Sequence, residues 1–531
     1  MNSASISAGS SSTARNSVTV AGWTILSRVV GLLRVLVIGA VMGPTYLANI
    51  FQAGYVLPGN VFTVMAGPVL AMVVVPAVVG TAAAGGATRA GELLSHIAGR
   101  LLAVAGVGTA ALALLSPLLA WTLVFGVPEP DRGRAWLLTL VLVLFVAPQV
   151  VLCAIAALGV AAQQSRGRFA LAAAAPAVES LGTIGTVVLT GWMFGAGLDI
   201  AQSPMTMMIL LGAGTTASVA LHAALQTYGA WRAGVLVPPR RGWRQDREAY
   251  DAMRRIVRSV PVAACPAITA YVLTVAAGTV PGGVLVVQLS FQVFYALSFV
   301  GARAVSMAAL PKLAEAAAAQ DGPRFAAAWR QGLHYAVLVS LPPLCLLATF
   351  AAPTADLLAN GELRQSSLIA ELAGCLAVIA FAQLAGGIHD LGRQALFSRL
   401  DDAGPRLASF VAVGVSTTVA LSTLLLPADS SRLTGLTVAI LAAEIAAAAI
   451  VLRRLRDAIR PHRLLDGQRA IAAGLATLAT LPVIVAGSWL LDVLGDGRIV
   501  ELLLLLATGA LSLAAFALAL RVVSPRLRPE S

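Results

Sequence analysis

The chain has 531 residues, of which 58% are hydrophobic and only 11% are charged, and its mean hydropathy is +0.87. An average soluble domain has roughly 25% charged residues, so this chain has too few charges to cover a large core in water. The composition excludes a soluble enzyme, a disordered protein and a secreted disulfide-linked scaffold. It predicts an all-α polytopic membrane protein, in which the net charge of +12 marks one face of the membrane rather than a nucleic-acid site.

In chain order, the apolar segments predict about fourteen transmembrane helices, because a helix needs roughly 20 mostly apolar residues to cross the hydrocarbon layer. A serine-rich segment, 1–17, is expected to be a disordered cytoplasmic tail. The predicted spans are 18–42, 46–80, 97–126, 135–163, 169–195, 206–231, 259–281, 283–311, 333–358, 366–392, 405–427, 433–452, 470–491 and 499–522. The longest polar stretch is the basic loop 232–258, and a short cytoplasmic tail, 523–531, ends the chain.

The basic residues separate by loop and thereby predict the orientation of the chain. Of the 36 lysine and arginine residues, 28 fall in the loops or at the span ends of one side, five fall in the loops of the other, and three lie deep within spans. Because cytoplasmic loops carry the excess of basic residues, this split predicts an even number of spans with both termini in the cytoplasm. The arginines alternate from loop to loop instead of forming one patch, so nucleic acid is not an expected partner.

Two halves of the sequence show weak internal similarity. The matching segments are Leu158-Gly159 and Ser165-Arg166 with Leu391-Gly392 and Ser398-Arg399 at an offset of 233, and Leu70-Ala71-Met72 and Pro76 with Val305-Ser306-Met307 and Pro311 at an offset of 235. They predict an N-lobe, 18–231, and a C-lobe, 259–452, of six helices each, followed by two C-terminal helices within 470–522. An even number of helices per repeat gives parallel repeats, and we expect a substrate site between the lobes.

Three arginines fall within predicted spans: Arg28, Arg34 and Arg303. An arginine at the bilayer centre costs roughly 2.5–3.5 kcal/mol on insertion scales, so each needs a cavity, a partner or a route to the surface. A guanidinium stays charged and can bind a phosphate through two hydrogen bonds. We therefore expect these three residues to bind an anionic ligand such as a pyrophosphate head group, and snorkelling to the membrane surface is the alternative for each.

Acidic residues within spans are candidates for ion coupling. These residues are Glu179, Glu371 and Glu444, with Asp390 near a helix end. Glu179 and Glu444 are the candidates that we select for coupling to a monovalent ion, and pairing with a buried arginine or exposure to water is the alternative. His222 and His334 are interpreted as polar cavity or interface residues. The four cysteines lie within spans without paired spacing, so we predict neither a metal site nor a cofactor.

The sequence has no catalytic or nucleotide-binding motif, which leaves a secondary transporter, a flippase or a membrane scaffold rather than an enzyme. Helix breakers cluster in helix 2, where Pro58, Gly59, Gly67 and Pro68 are hinge candidates, and helix 7 contains Pro261 and Pro266. Proline removes a backbone hydrogen bond and kinks a helix, so such helices are candidate gates, with static packing irregularity as the alternative.

Several segments resemble the MurJ (MviN) lipid II flippase family of the multidrug/oligosaccharidyl-lipid/polysaccharide (MOP) superfamily. They are Ser27-Arg28-Val29-Val30-Gly31-Leu32-Leu33-Arg34, which resembles the S-R-x-x-G-x-x-R opening of helix 1, Ala309-Leu310-Pro311-Lys312-Leu313, and Phe397-Ser398-Arg399-Leu400-Asp401-Asp402 with Pro405. The resemblance implies fourteen helices in the bacterial cytoplasmic membrane and translocation of lipid-linked peptidoglycan precursor by alternating access. It also implies that Arg28 and Arg34 grip the diphosphate, that a groove near the last two helices holds the polyprenyl tail, and that membrane potential or a monovalent ion drives transport.

The chain departs from the family at several polar positions. Phe62-Thr63 stands where the family has an arginine pair, Phe291-Gln292 where it has Asp-Arg, and Gly67 and Asn49 near its acidic positions. We expect Arg303 to compensate. Two other functions stay open: a transport-incompetent scaffold or regulator of envelope synthesis, and an ion-coupled exporter of another lipid-linked saccharide. Cell-wall synthesis proteins are expected partners.

Overall fold

The computed structural model describes residues 4–65, 67–235, 238–242, 244–365, 368–495 and 497–523, and these contain helices and no strand. The helices are α1 (Ala4–Met42), α2 (Tyr46–Met65), α3 (Gly67–Leu123), α4 (Glu129–Val146), α5 (Gln149–Ser165), α6 (Ala170–Phe194), α7 (Met205–Arg232), α8 (Arg247–Ala277), α9 (Gly283–Val300), α10 (Ala302–Ala318), α11 (Gly322–Thr349), α12 (Ala351–Leu358), α13 (Leu368–Ser398), α14 (Ala403–Ser422), α15 (Ser430–Ile459), α16 (Gly467–Leu478), α17 (Leu481–Leu494) and α18 (Arg498–Val523). The predicted all-α polytopic fold is therefore confirmed.

Within the described residues, 13 helical segments are long and apolar enough to cross a membrane. Three of them join two helices across a short break, namely α4 with α5, α9 with α10, and α16 with α17. The predicted span 46–80 is the one without a counterpart among the 13, and it contains position 66, which lies outside the described residues.

Several predicted helix boundaries are wrong. Spans 46–80 and 97–126 are instead α2 and α3, and α3 consists of two helices that meet at a kink at Gly86, so helix lies on both sides of that kink in the segment that we assigned to a loop. That segment is rich in alanine, which favours a helix, and α3 bends at Gly86 (φ 79°, ψ 177°), where the missing side chain permits this backbone conformation. At the N-terminus, α1 begins at Ala4, so helix extends into the segment expected to be a tail.

The helix of the ninth predicted span, 333–358, begins earlier than predicted because the residues that cap it lie outside the apolar segment. The carboxylate of Asp321 accepts a hydrogen bond from the Arg324 amide, and a proline occupies the first turn, so α11 starts at Gly322 rather than at residue 333. The eighth predicted span, 283–311, is divided at Gly301 into α9 and α10. Because α10 continues through Pro311 to Ala318, the predicted helix end at residue 311 is also wrong.

The chain divides into two compact units, Met1–Leu285 and Val286–Ser531. The first unit therefore includes α8, which packs on α2 and α3, whereas the predicted C-lobe starts with this helix. In the first unit, buried leucine and isoleucine side chains of α3 pack with α5 and α8. In the second unit, Phe325 and Trp329 of α11 are fully buried against α13 and α15.

The two units repeat the same local structure at the positions that carry the sequence similarity. In unit 1, Gly159 of α5 lies against the backbone of Gln226 in α7, and in unit 2, Gly392 of α13 lies against Val451 in α15. The Ser165 and Ser398 hydroxyls each donate to the carbonyl three residues earlier, at 2.8 Å. Gly167 (φ 68°) and Leu400 (φ 61°) then end the two helices in the left-handed region.

Candidate functional site

Arg34 meets a tyrosine inside the first unit. Its Nη1 atom donates a hydrogen bond of 2.7 Å to the Tyr55 hydroxyl, and its guanidinium carbon lies 4.8 Å from the centre of the tyrosine ring. Arg34 lies eight residues before the end of α1 and Tyr55 nine residues after the start of α2, so both are about 12–14 Å from the same turn. The Tyr55 side chain is buried, and the interaction therefore lies well inside the helix bundle.

Glu179 of α6 extends this contact to a histidine. The Tyr55 hydroxyl donates to Glu179 Oε1 at 3.4 Å, and His222 Nδ1 of α7 lies 2.6 Å from Glu179 Oε2. Glu179 is nine residues from the start of α6 and His222 ten residues from the end of α7, which brings them to the same depth. Their side chains are 23% and 13% exposed, so the pair is only partly buried.

The hydrogen bonds continue on the far side of the histidine. Gln226 Nε2 lies 3.4 Å from His222 Nε2, and Gln163 Nε2 of α5 donates to Gln226 Oε1 at 2.7 Å. A donor from Gln226 leaves the histidine proton on Nδ1, where it can be donated to Glu179. We call the chain Arg34–Tyr55–Glu179–His222 the polar relay.

Small residues let α6 approach its neighbours closely enough to form this relay. Gly182 of α6 faces Ser218 of α7, and Gly191 faces Val41 of α1. A side chain at either glycine would overlap these neighbours. Such small-residue contacts are typical of helix packing in membranes, where they allow the backbones to approach.

The other two candidate arginines are both exposed residues. Arg28 is an exposed residue of α1, six positions before Arg34. Arg303 is exposed at the second position of α10 in the second unit. Because α10 extends to Ala318, Arg303 is 15 residues from its end, or roughly 22 Å, and is deeper than the predicted helix end implied. Convergence of the three arginines stays a prediction.

The second unit also contains a histidine–glutamate pair. His389 Nδ1 of α13 lies 2.9 Å from Glu444 Oε2 of α15, and the side chains are 16% and 25% exposed. One turn along α13, Arg393 pairs with Asp390. Glu371, near the start of α13, is buried, and its Oε2 atom has no hydrogen-bond partner in the described structure.

The sequence therefore identified the two acids but not their partners. Glu179 and Glu444 pair with histidines rather than with arginines. Tyr55 and His389 were not selected at all, and His222 was assigned only a general polar role. Equal distance from helix ends on the same side of the membrane would have matched Glu179 with His222, once the ends of α6 and α7 were known.

Asn49 joins α2 to the turn between α8 and α9 through its side-chain amide. Its side-chain amide donates to the Val280 carbonyl at 2.7 Å, and its Oδ1 accepts from the Val284 amide at 3.0 Å. The residue is buried and fastens the turn between α8 and α9 to α2. Asn49 therefore has a structural role in this chain.

The hinge candidates lie on both sides of position 66, which is outside the described residues. Pro58 and Gly59 are inside α2, which ends at Met65, and α3 begins with Gly67 and Pro68. A hinge motion at these residues stays a prediction.

An apolar groove of about 260 Å³ lies between α11, α13, α15 and the start of α16. Its apolar lining includes Leu333, Val337 and Ala473. Arg330 and Arg469 are its basic residues, and Asp466, which caps α16, pairs with Arg469. The groove thus combines a surface suited to a hydrocarbon chain with basic groups.

In the described part of the chain, no three His, Cys, Asp or Glu side chains are grouped closely enough to hold a metal ion. The four cysteines are free thiols.

Comparison with solved structures relates this fold to known transporters. It is similar to a lipid II flippase MurJ in an inward closed conformation, with a TM-score of 0.71, 14% identity, and coverage of 94% of this chain and 98% of that one. An inward-facing multidrug resistance MATE family transporter of the MOP superfamily gives a TM-score of 0.63, 14% identity, and coverage of 83% and 98%. A MOP superfamily transporter from Pyrococcus furiosus gives a TM-score of 0.57 and 15% identity, with coverage of 83% of this chain and 95% of that one. A search of curated protein sequences finds no match.

The 13 candidate spans define a multi-pass membrane protein, and its fold is similar to that of MOP superfamily transporters. The family model described as lipid II flippase MurJ matches residues 38–505, so the chain belongs to that family. Its function is to move a lipid-linked peptidoglycan precursor across the membrane, which confirms the predicted family and function.

Proposed function

We propose that Arg34 binds the diphosphate of the lipid-linked substrate during translocation. The observation that supports this role is the state of its guanidinium: Nη1 is held by Tyr55, while Nε is buried and has no hydrogen-bond partner in the described structure. A phosphate oxygen would supply the missing acceptor, and hydrogen bonds between charged groups are about twice as strong as neutral ones.

Arg28 and Arg303 complete the proposed binding group. Both residues are exposed, and each carries the positive charge that a diphosphate head group requires. Arg303 replaces, in this proposal, the positive charge that Phe62-Thr63 and Phe291-Gln292 do not provide.

We assign the polyprenyl tail to the apolar groove beside α11 and α16. Its lining is hydrocarbon-like, and its basic residues Arg330 and Arg469 lie near the helix ends that face the arginine-rich loops. We also place both termini in the cytoplasm, because 28 basic residues lie on their side of the membrane and five on the other. Cell-wall synthesis proteins are the proposed protein partners.

Glu179 and Glu444 are the proposed coupling residues. Each carboxylate has an oxygen in contact with a histidine nitrogen and is partly exposed. This geometry favours a proton over a bare metal cation as the coupling ion, because a histidine–carboxylate pair can take up a proton without new ligands.

Complementation of a bacterial strain depleted of its lipid II flippase tests the binding role. The wild-type chain is expected to restore growth, Arg34→Ala and Arg303→Ala to abolish rescue, and Arg34→Lys to rescue weakly, because lysine keeps the charge but not the planar fork. Arg324→Ala is the matched control, since Arg324 forms an exposed ion pair with Glu315.

Membrane abundance of each variant is measured by immunoblot. Normal rescue by an Arg303→Ala chain would contradict the compensation role of Arg303, and normal rescue by Arg34→Ala would contradict the proposed site. Failure of an abundant wild-type chain to rescue would instead favour a transport-incompetent scaffold.

A further inference from the structure

We propose that the Glu179–His222 pair is a proton-binding site whose protonation strengthens anion binding at Arg34 through Tyr55. This inference rests on the proposed function of Arg34. It specifies how the coupling ion and the substrate affect one another in the first unit of the chain.

The tyrosine is the physical connection between the two sites. Its hydroxyl accepts from Arg34 Nη1 at 2.7 Å and donates to Glu179 Oε1 at 3.4 Å. An ionised Glu179 therefore draws Tyr55, and with it the guanidinium, toward the carboxylate. When the charge of Glu179 is balanced by an imidazolium, this attraction weakens and more of the arginine charge is available to a phosphate.

His222 has a position for the incoming proton. Its Nδ1 faces Glu179 at 2.6 Å, and its Nε2 receives only a long contact of 3.4 Å from Gln226. A proton from water binds Nε2, and the Gln226 amide turns so that its oxygen accepts from the new N–H. The Gln163 amide, whose nitrogen now donates to Gln226 Oε1 at 2.7 Å, turns with it so that its oxygen accepts from Gln226 Nε2. The pair then changes from a carboxylate with a neutral imidazole to a carboxylate with an imidazolium, and gains one positive charge.

The charged and titratable groups around the pair leave this added charge unbalanced. Arg34 faces Glu179 from α1, Tyr55 from α2, Cys153 from α5 and His222 from α7. In the described part of α1, the charged residues are Arg15, Arg28 and Arg34. In α7, Tyr228 and Arg232 lie near the C-terminal end of the helix and contact each other. Before protonation, Arg34 and Glu179 balance; after protonation, the relay carries a net positive charge that favours an anion.

The second unit provides a contrast within the same chain. His389 and Glu444 form a similar pair, but no described hydrogen bond joins that pair to an arginine. The proposed linkage to anion binding therefore belongs to the first unit.

Ligand binding to the purified full-length chain in nanodiscs tests the linkage. The probe is a short-chain lipid II analogue whose diphosphate is esterified at both ends, so that its own charge does not change between pH 5.5 and pH 8.5. Binding to the wild-type chain is expected to tighten about tenfold from pH 8.5 to pH 5.5, within the usual range of coupling between two sites. Because linkage is reciprocal, adding the probe near pH 7 in weak buffer should cause proton uptake.

The variants separate the parts of the relay. His222→Asn is expected to remove the pH dependence, and Tyr55→Phe to reduce it while leaving binding measurable. His462→Asn, in the turn between α15 and α16, is the control and should keep the wild-type profile.

Binding without pH dependence and without proton uptake by the wild-type chain would overturn this inference and leave the role of Arg34 intact. Absence of binding at every pH would overturn the proposed role of Arg34 and, with it, this inference. The proton-uptake measurement needs no variant, so a misfolded His222→Asn chain would not prevent the decision.

Discussion

Asp246, at the end of the basic loop, shows how a single buried acid organises an arginine-rich surface. Its carboxylate accepts hydrogen bonds from the Glu248 and Ala249 amides and caps α8, and it also contacts Arg89 and His96 of α3 at 3.1 Å. Burial by itself raises the pKa of Asp246, but the contacts with His96, the Ala249 amide and Arg89 outweigh burial and lower that pKa below its usual 3.8. The ionised form is therefore the one that fastens the loop to α3.

This assignment predicts the response of the loop to acid. Because the folded pKa of Asp246 is lowered, its contribution to stability is present above the unfolded value and is lost as the pH falls through the folded value. Hydrogen exchange of the α8 amides, corrected for intrinsic rate, should stay constant from pH 7 to pH 5 and increase only below about pH 4.

Asp246→Asn keeps a side-chain oxygen for the cap but loses the charge that pairs with Arg89, so it should increase the exchange of the same amides about tenfold at pH 7, which corresponds to a loss of roughly 1.4 kcal/mol. Asp251→Asn is the matched control, since Asp251 is an exposed residue of the same helix. Equal exchange in the two variants would contradict the role of Asp246.

For individual residues, the sequence shows which charged side chains lie within membrane spans, but it does not show which residues they contact. A charge within a span is costly wherever it lies, so Arg34, Glu179 and Glu444 could be selected from composition and position alone. Tyrosine is a common residue in membrane helices, and nothing in the sequence around Tyr55 distinguishes it. Its importance comes from the packing of α1, α2 and α6, which brings residues 124 positions apart into contact.

At the scale of helices, the internal repeat has a physical basis in helix crossings. The α5–α7 and α13–α15 pairs each contain a glycine where the two helices are closest, at Gly159 and Gly392. A Cβ atom at Gly159 would lie 2.7 Å from the backbone carbonyl of Gln226, a contact that only a backbone shift could relieve. Gln226 also contacts His222, so this crossing supports the polar relay.

Gly159→Ala should therefore destabilise the chain by about 1–3 kcal/mol through overpacking and lower its thermal unfolding temperature in detergent. Gly185→Ala is the control, because nothing lies within 4 Å of a Cβ atom at that position of α6 and alanine favours a helix. An unchanged unfolding temperature for Gly159→Ala would show that the crossing is looser than described.

Helix types were predictable, whereas several ends were not. Long apolar runs establish which segments are helical, but hydropathy does not detect a polar helix extension or a cap. Residues 81–96 of α3 and the Asp321 cap of α11 therefore lay outside the predicted spans. Breaks such as Gly301 depend on tertiary packing and leave little signal in an apolar sequence.

For the whole molecule, the arginine distribution supports one orientation. The proposed cytoplasmic loops contain 28 basic residues, including eight in 232–258. In a chain whose four native cysteines are replaced, a cysteine introduced at Arg241 should react with an impermeant maleimide only after the cell membrane is opened, and one at Glu129 should react in intact spheroplasts. The reverse labelling pattern would contradict the proposed sidedness.

The central claim is that a guanidinium inside the helix bundle binds the substrate diphosphate, and reconstituted transport tests it most directly. Proteoliposomes containing the full-length chain are supplied with fluorescent lipid II, and its appearance in the opposite leaflet is followed by quenching. We expect the wild-type chain to translocate the lipid, and Arg34→Ala to slow translocation by about tenfold or more, as expected for losing a charged hydrogen bond of roughly 1.5–3 kcal/mol. Translocation by an intact Arg34→Ala chain at the wild-type rate would contradict the account.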